Sequence, residues 1–154
     1  MSIRFDPEDL KEAALERIGT ARHLFEESEK AGGNLSASIY VAGVAVECIL
    51  RAYRMKRDPE FDSRHDLADL LKASGFIGFV PEKRTREVSA ALGDVWSRWK
   101  NEYRYASDRR VLSDLKRRGL TEGIRGDQLK ECARTVVERA FELVNVGVAR
   151  WNSV

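Results

Sequence analysis

Proline occurs 3 times and glycine 11 times in 154 residues, too seldom for the frequent turns of an all-β chain or the extended linkers of a disordered one. An excess of one charge is missing too. Lys and Arg number 27 against 25 Asp and Glu, a net charge of +2, so contact with a polyanion would have to come from local clustering. The longest apolar run, Ile39 to Val46, ends at Glu47, far short of the roughly 20 residues that span a bilayer. With no apolar stretch behind Arg4 to act as a secretory leader, a cytoplasmic location without membrane contact is expected. Cys48 and Cys132 sit in apolar helical patterns without a partner at metal-ligand spacing, which suggests buried thiols and no metal. Dinucleotide, P-loop, zinc-protease and zinc-finger spacings are all missing, so no cofactor is expected.

What is present is helical periodicity. At 43% hydrophobic and 34% charged, residues 1–154 can build one core, and a single all-α domain is predicted, a four- to five-helix up-and-down bundle with short extra helices. Asp6-Pro7-Glu8-Asp9 is a helix start, and Leu10, Ala14, Ile18, Ala21 and Phe25 then repeat every three or four residues. Gly32-Gly33 ends this helix. With Asn34 or Ser36 as cap, a second helix is predicted from Ala37 to about Lys56, apolar on nearly every face over its first half and therefore central. Ser63-Arg64-His65-Asp66 has capping-box spacing before a short helix carrying Leu67, Leu70 and Leu71. Phe76–Val80 reads as an apolar loop. Pro81 opens a helix with Val88, Leu92, Val95, Trp96, Trp99 and Tyr103 along one side, and a short helix with Val111, Leu112 and Leu115 follows. Asp127 caps the last helix, which runs almost to Trp151.

Three places could carry chemistry. Glu47, a carboxylate inside the most apolar helix, needs a cation or donors to offset desolvation of several kcal/mol. Arg51, one turn on, shares its face, so a pair with it, or with an arginine from another helix, that merely fixes bundle register is the alternative to a functional role. His65 precedes the short helix and could accept a proton or donate a hydrogen bond, or simply cap and pack; His23 is weaker. Arg104 lies between Tyr103 and Tyr105 where the stripe breaks, and there a guanidinium can hold phosphate while a base stacks nearby. From Ser97 to Arg134 there are 11 basic and 6 acidic residues, leaving +5, with Arg109 and Arg110 among them. The alternative is that Trp96, Trp99 and Tyr103 are core and the arginines are solvated.

Ala42-Gly43-Val44-Ala45-Val46-Glu47-Cys48-Ile49-Leu50-Arg51-Ala52, then His65-Asp66-Leu67 with Leu70-Leu71, then Trp99 and Tyr103-Arg104-Tyr105, resemble in order and spacing the HEPN superfamily of small helical bundles. The resemblance extends from about Leu10 to Val148. It implies a four- or five-helix bundle, usually a homodimer, found in prokaryotic toxin–antitoxin and defence loci and often beside a minimal nucleotidyltransferase as partner protein. Many members are metal-independent ribonucleases with an Arg-x(4–6)-His motif, but the positions counted from Arg104 hold Arg109, Arg110 and Val111. Arg17 and His23 have that spacing in the first helix, away from the later part of the bundle where the motif belongs. The expectation is therefore an RNA- or nucleotide-binding protein, either a divergent ribonuclease or an inactive one. In the catalytic version Arg104 stabilises phosphorane charge, His65 transfers a proton and Glu47 orients one of them, with Arg51, Tyr105, Arg109 and Arg110 holding substrate. The other expectation is a non-enzymatic module that binds a partner protein.

Overall fold

The computed structural model describes residues 3–58 and 66–153, and among them every regular element is helical. Among the described residues six α-helices are present: α1 (Pro7–Glu26), α2 (Asn34–Arg57), α3 (Leu67–Ser74), α4 (Thr85–Arg98), α5 (Asp108–Arg117) and α6 (Gln128–Ala149). The all-α class follows, with α1, α2, α4 and α6 as the long members. In α1 the capping box is Asp6 with Asp9, and Leu10, Ala14, Ile18 and Ala21 are buried, as the periodicity requires.

By length and composition α2 could cross a membrane, yet two thirds of its most apolar window is buried within the fold. It packs against α1, α3 and α6, which makes it the core helix. Close approach to α6 is permitted by Gly147, whose absent Cβ would lie 2.5 Å from Ile49 Cγ1. The Tyr53 hydroxyl donates to the Gly147 carbonyl at 2.6 Å, and burial pushes that phenol up to about 12. Beyond α6, Trp151 is buried, donates from Nε1 to Glu8 and accepts on its carbonyl from Lys56 Nζ, so the ends of α1, α2 and α6 are tied together.

Several boundaries differ from expectation. Helix α2 begins at Asn34 rather than Ala37, and neither Asn34 nor Ser36 caps it: Gly33 is the N-cap, at φ 91°, with no side chain to offer. The cap comes from α5. Asp108 accepts from the Gly33 and Ser36 amides, each at 2.9 Å, satisfying two of the donors a helix start leaves over. Before α3 the cap is Asp66, which accepts from Ala68 and Asp69; Ser63 and His65 lie outside the described residues. Phe76–Phe79 forms a 3₁₀ turn whose Phe76 ring meets Tyr53 edge-on at 4.9 Å. Helix α4 stops at Arg98, with Trp99 and Lys100 extended before a 3₁₀ turn over Asn101–Tyr105. Between α5 and α6 the chain turns through Gly119, Gly123 and Gly126, all at φ between 75° and 83°, a region that only glycine adopts freely.

Asp108→Ala is expected to lower stability by about 1–2 kcal/mol, the usual value of an acidic N-cap, read from the urea midpoint. Burial pushes the Asp108 carboxyl up, but bonds from Ser36 and Gly33 outweigh it and hold the group below its ordinary value. Its stabilisation is thus complete above the unfolded value of about 4 and is lost as pH falls through the lower folded value. The variant is expected to show a correspondingly flatter acid limb of stability against pH.

Candidate nucleotide-binding groove

Glu47 and Arg51 are 6% and 5% exposed, with Arg51 Nη2 3.3 Å from Glu47 Oε2. The buried carboxylate finds a cation on its own helix, one turn away. Cys48, beside it and half-buried, is pushed up to about 11 by desolvation and then by the Glu47 charge, which leaves its thiol inert at neutral pH.

Arg104 is exposed and turns its guanidinium onto the Tyr105 ring, 4.7 Å from the centroid. Among the described residues Glu47 and Arg51 form a buried pair on α2 and Arg104 stands at an exposed corner. His65, the third member of the expected catalytic set, lies outside the described residues.

What gathers at the Tyr-Arg-Tyr corner is different in part. The 3₁₀ turn and α5 enclose an open groove of about 570 Å³, lined by Lys100, Glu102, Tyr103, Tyr105, Ala106, Arg110, Asp114 and Arg117. This lies within the range of roughly 300–1,000 Å³ typical of small-ligand sites. Tyr105 is the most exposed large apolar side chain among the described residues, at 80%. Of the expected substrate-holding residues, Tyr105 and Arg110 line the groove, while Arg109, exposed at the preceding position of α5, is not among its lining residues. Arg104, Arg109 and Arg110 are exposed and make no ion pair among the described residues.

Asp114 organises the groove wall, and sequence reasoning did not single it out. It accepts from the Tyr103 hydroxyl at 2.5 Å, from Lys100 at 3.2 Å, from Arg117 at 2.6 Å and from Arg118 at 3.2 Å. Burial alone would raise its pKa, but Tyr103 and the three cations hold the carboxyl well below the usual carboxylate range. The same burial, with the Asp114 charge opposite, pushes the Tyr103 phenol far up, so it remains a donor at neutral pH. Arg118 also donates to the Tyr103 oxygen at 2.9 Å. One signal was available: Arg110, Asp114 and Arg117 are spaced at i, i+4 and i+7 and so share a face of α5.

Trp99 fixes the corner to the core. Its Nε1 donates to the Tyr40 carbonyl at 3.1 Å and its ring stacks on Tyr40 at 6.3 Å. The indole lies where a side chain at Gly43 would stand, 2.1 Å from the position of the absent Cβ. Trp99 and Tyr103 are core residues at 5% exposure each, whereas Trp96, expected on the same stripe, is 53% exposed.

No protein-family model, curated protein or solved structure matches the chain.

Proposed function

We propose that this chain is a HEPN-like helical bundle that binds RNA or a nucleotide at the groove between Lys100 and Arg117. The observation that carries the reading is the exposed Tyr105 ring, with Arg104 on its face and Arg110 beside it, neither arginine paired to an acid among the described residues. A base stacks on the phenol ring, and the adjacent guanidinium groups take its phosphates, bidentately where geometry allows. Asp114 holds Lys100 and Arg117 in place and lowers the positive charge they present. Arg104 and Arg110 are accordingly the principal phosphate contacts.

The proposed activity is binding. Cleavage in the manner of the metal-independent ribonucleases would in addition need His65 to transfer a proton, with Glu47 orienting either His65 or Arg104. A homodimer, a role in a toxin–antitoxin or defence system and a nucleotidyltransferase partner remain part of the HEPN proposal and rest on the sequence resemblance alone.

The test is fluorescence anisotropy of a labelled single-stranded RNA of about a dozen nucleotides. Tyr105→Ala and Arg110→Ala are each expected to weaken binding roughly 10-fold, the value of one base stack or one charge-assisted contact, without moving the melting temperature. The affinity is expected to fall with salt, by about 0.7 in log K per phosphate contact for each log unit of salt. Unchanged affinity in both variants would remove the reading.

A further inference from the structure

Trp96 stands on the flank of α4. Val88, Leu92 and Val95 take its buried stripe, while Ser89 and Gly93, seven and three residues before the indole, present too little side chain to cover it. The ring helps line an apolar slot with Leu67, Ala68, Leu71 and Leu92. It also helps line a polar groove of about 310 Å³ with Asp66, Leu67, Trp99, Lys100, Asn101 and Glu102.

Lys100 and Glu102 line this polar groove and the Tyr105 groove alike. The two most exposed aromatic rings of the described fold, Tyr105 at 80% and Trp96 at 53%, are therefore joined by a shared wall. Ammonium and guanidinium groups lie along the Tyr105 side, and a carboxylate sits at the junction.

We infer that the two grooves form one track for a single-stranded nucleic acid, with one base stacked on Tyr105, a second on Trp96, and the intervening backbone on Lys100. This rests on the nucleotide-binding reading of the Tyr105 groove and extends it. A duplex does not fit the arrangement, because stacking on a protein ring requires an unstacked base face. Glu102 repels phosphate and can only accept hydrogen bonds, so it faces base edges that carry amino groups, adenine among them. The apolar slot would suit an aliphatic side chain of a partner protein. Continuity with the basic groove through Lys100 favours the polyanion instead.

The experiment compares adenosine monophosphate with single-stranded hexa-adenylate and reads intrinsic fluorescence. Of the three tryptophans, Trp99 and Trp151 are only 5% and 3% exposed, so a stacked base quenches Trp96 selectively. Both probes are expected to bind, the hexamer roughly 10-fold tighter or more, the gain of one additional stacked base. Only the hexamer should quench the tryptophan emission. Trp96→Ala should abolish the gain with length and leave the monophosphate affinity unchanged. A hexamer that binds as the monophosphate does, leaves the emission unquenched and is indifferent to Trp96→Ala overturns the track while the Tyr105 site stands. Binding of neither probe overturns both.

Discussion

Glu47→Ala is expected to lower stability by about 3–5 kcal/mol, the cost of leaving one member of a buried ion pair without the other. Arg51 would keep its charge at 5% exposure, with the carboxylate 3.3 Å from its Nη2 removed. Chemical unfolding checks this directly. RNA affinity supplies the second readout. Folded Glu47→Gln should bind as the wild type does, because the pair lies in the core and the groove in the Tyr-Arg-Tyr corner. A Glu47→Gln protein that melts normally but binds RNA much more weakly would return the carboxylate to the site.

Gly43→Ala ranks second. Its Cβ would overlap the Trp99 ring at 2.1 Å, and α2 and the Trp99 segment can separate only by breaking the Nε1 bond to the Tyr40 carbonyl. Overpacking of this kind, together with a buried donor left unmet, is expected to cost about 3 kcal/mol. Gly19 provides the contrast: it is also mid-helix, but nothing lies within 4 Å of where its Cβ would be, so Gly19→Ala should stabilise by about 0.5–1 kcal/mol. A double-mutant cycle in calorimetry isolates the clash, because the Gly43→Ala penalty should largely disappear in a Trp99→Ala background. Equal penalties in the two backgrounds would mean that the glycine is present for another reason.

The helices were legible wherever one periodicity or one local cap decided them. Leu10, Ala14, Ile18 and Ala21 line the buried side of α1, and the Asp6 and Asp127 caps are where the sequence places them. Long-range partners were not legible. Nothing near Gly33 announces that its helix is capped by a carboxylate 75 positions later, and local reading therefore started α2 at Ala37. The break after Arg98 was missed for a related reason. Val88 through Tyr103 keep apolar spacing, but Trp99 has its hydrogen-bond partner on α2, so the chain leaves the helix to reach it. That departure buries Trp99 and Tyr103 and leaves Trp96 on the flank.

For the site, residue types were informative and mutual placement was not. Tyr105 and Arg110 could be named from an aromatic-arginine cluster, and both line the groove. Glu47 stood out because burying a carboxylate is costly, but that cost says only that a cation is near, not which one. Asp114 escaped notice because an aspartate among arginines on a short helix looks like a solvated face. Its four donors include Lys100 and Tyr103, which lie outside its helix, so their convergence exists only in three dimensions.

The aspartate that opens α5 and caps the start of α2 couples two regions that otherwise differ greatly in burial. Amide hydrogen exchange should register that coupling: if α5 peels away, the first turn of α2 loses its acceptors at the same moment, and protection at Ser36 should report on the integrity of α5. A ligand seated on Arg110 would then slow deuterium uptake at the start of the core helix without touching it.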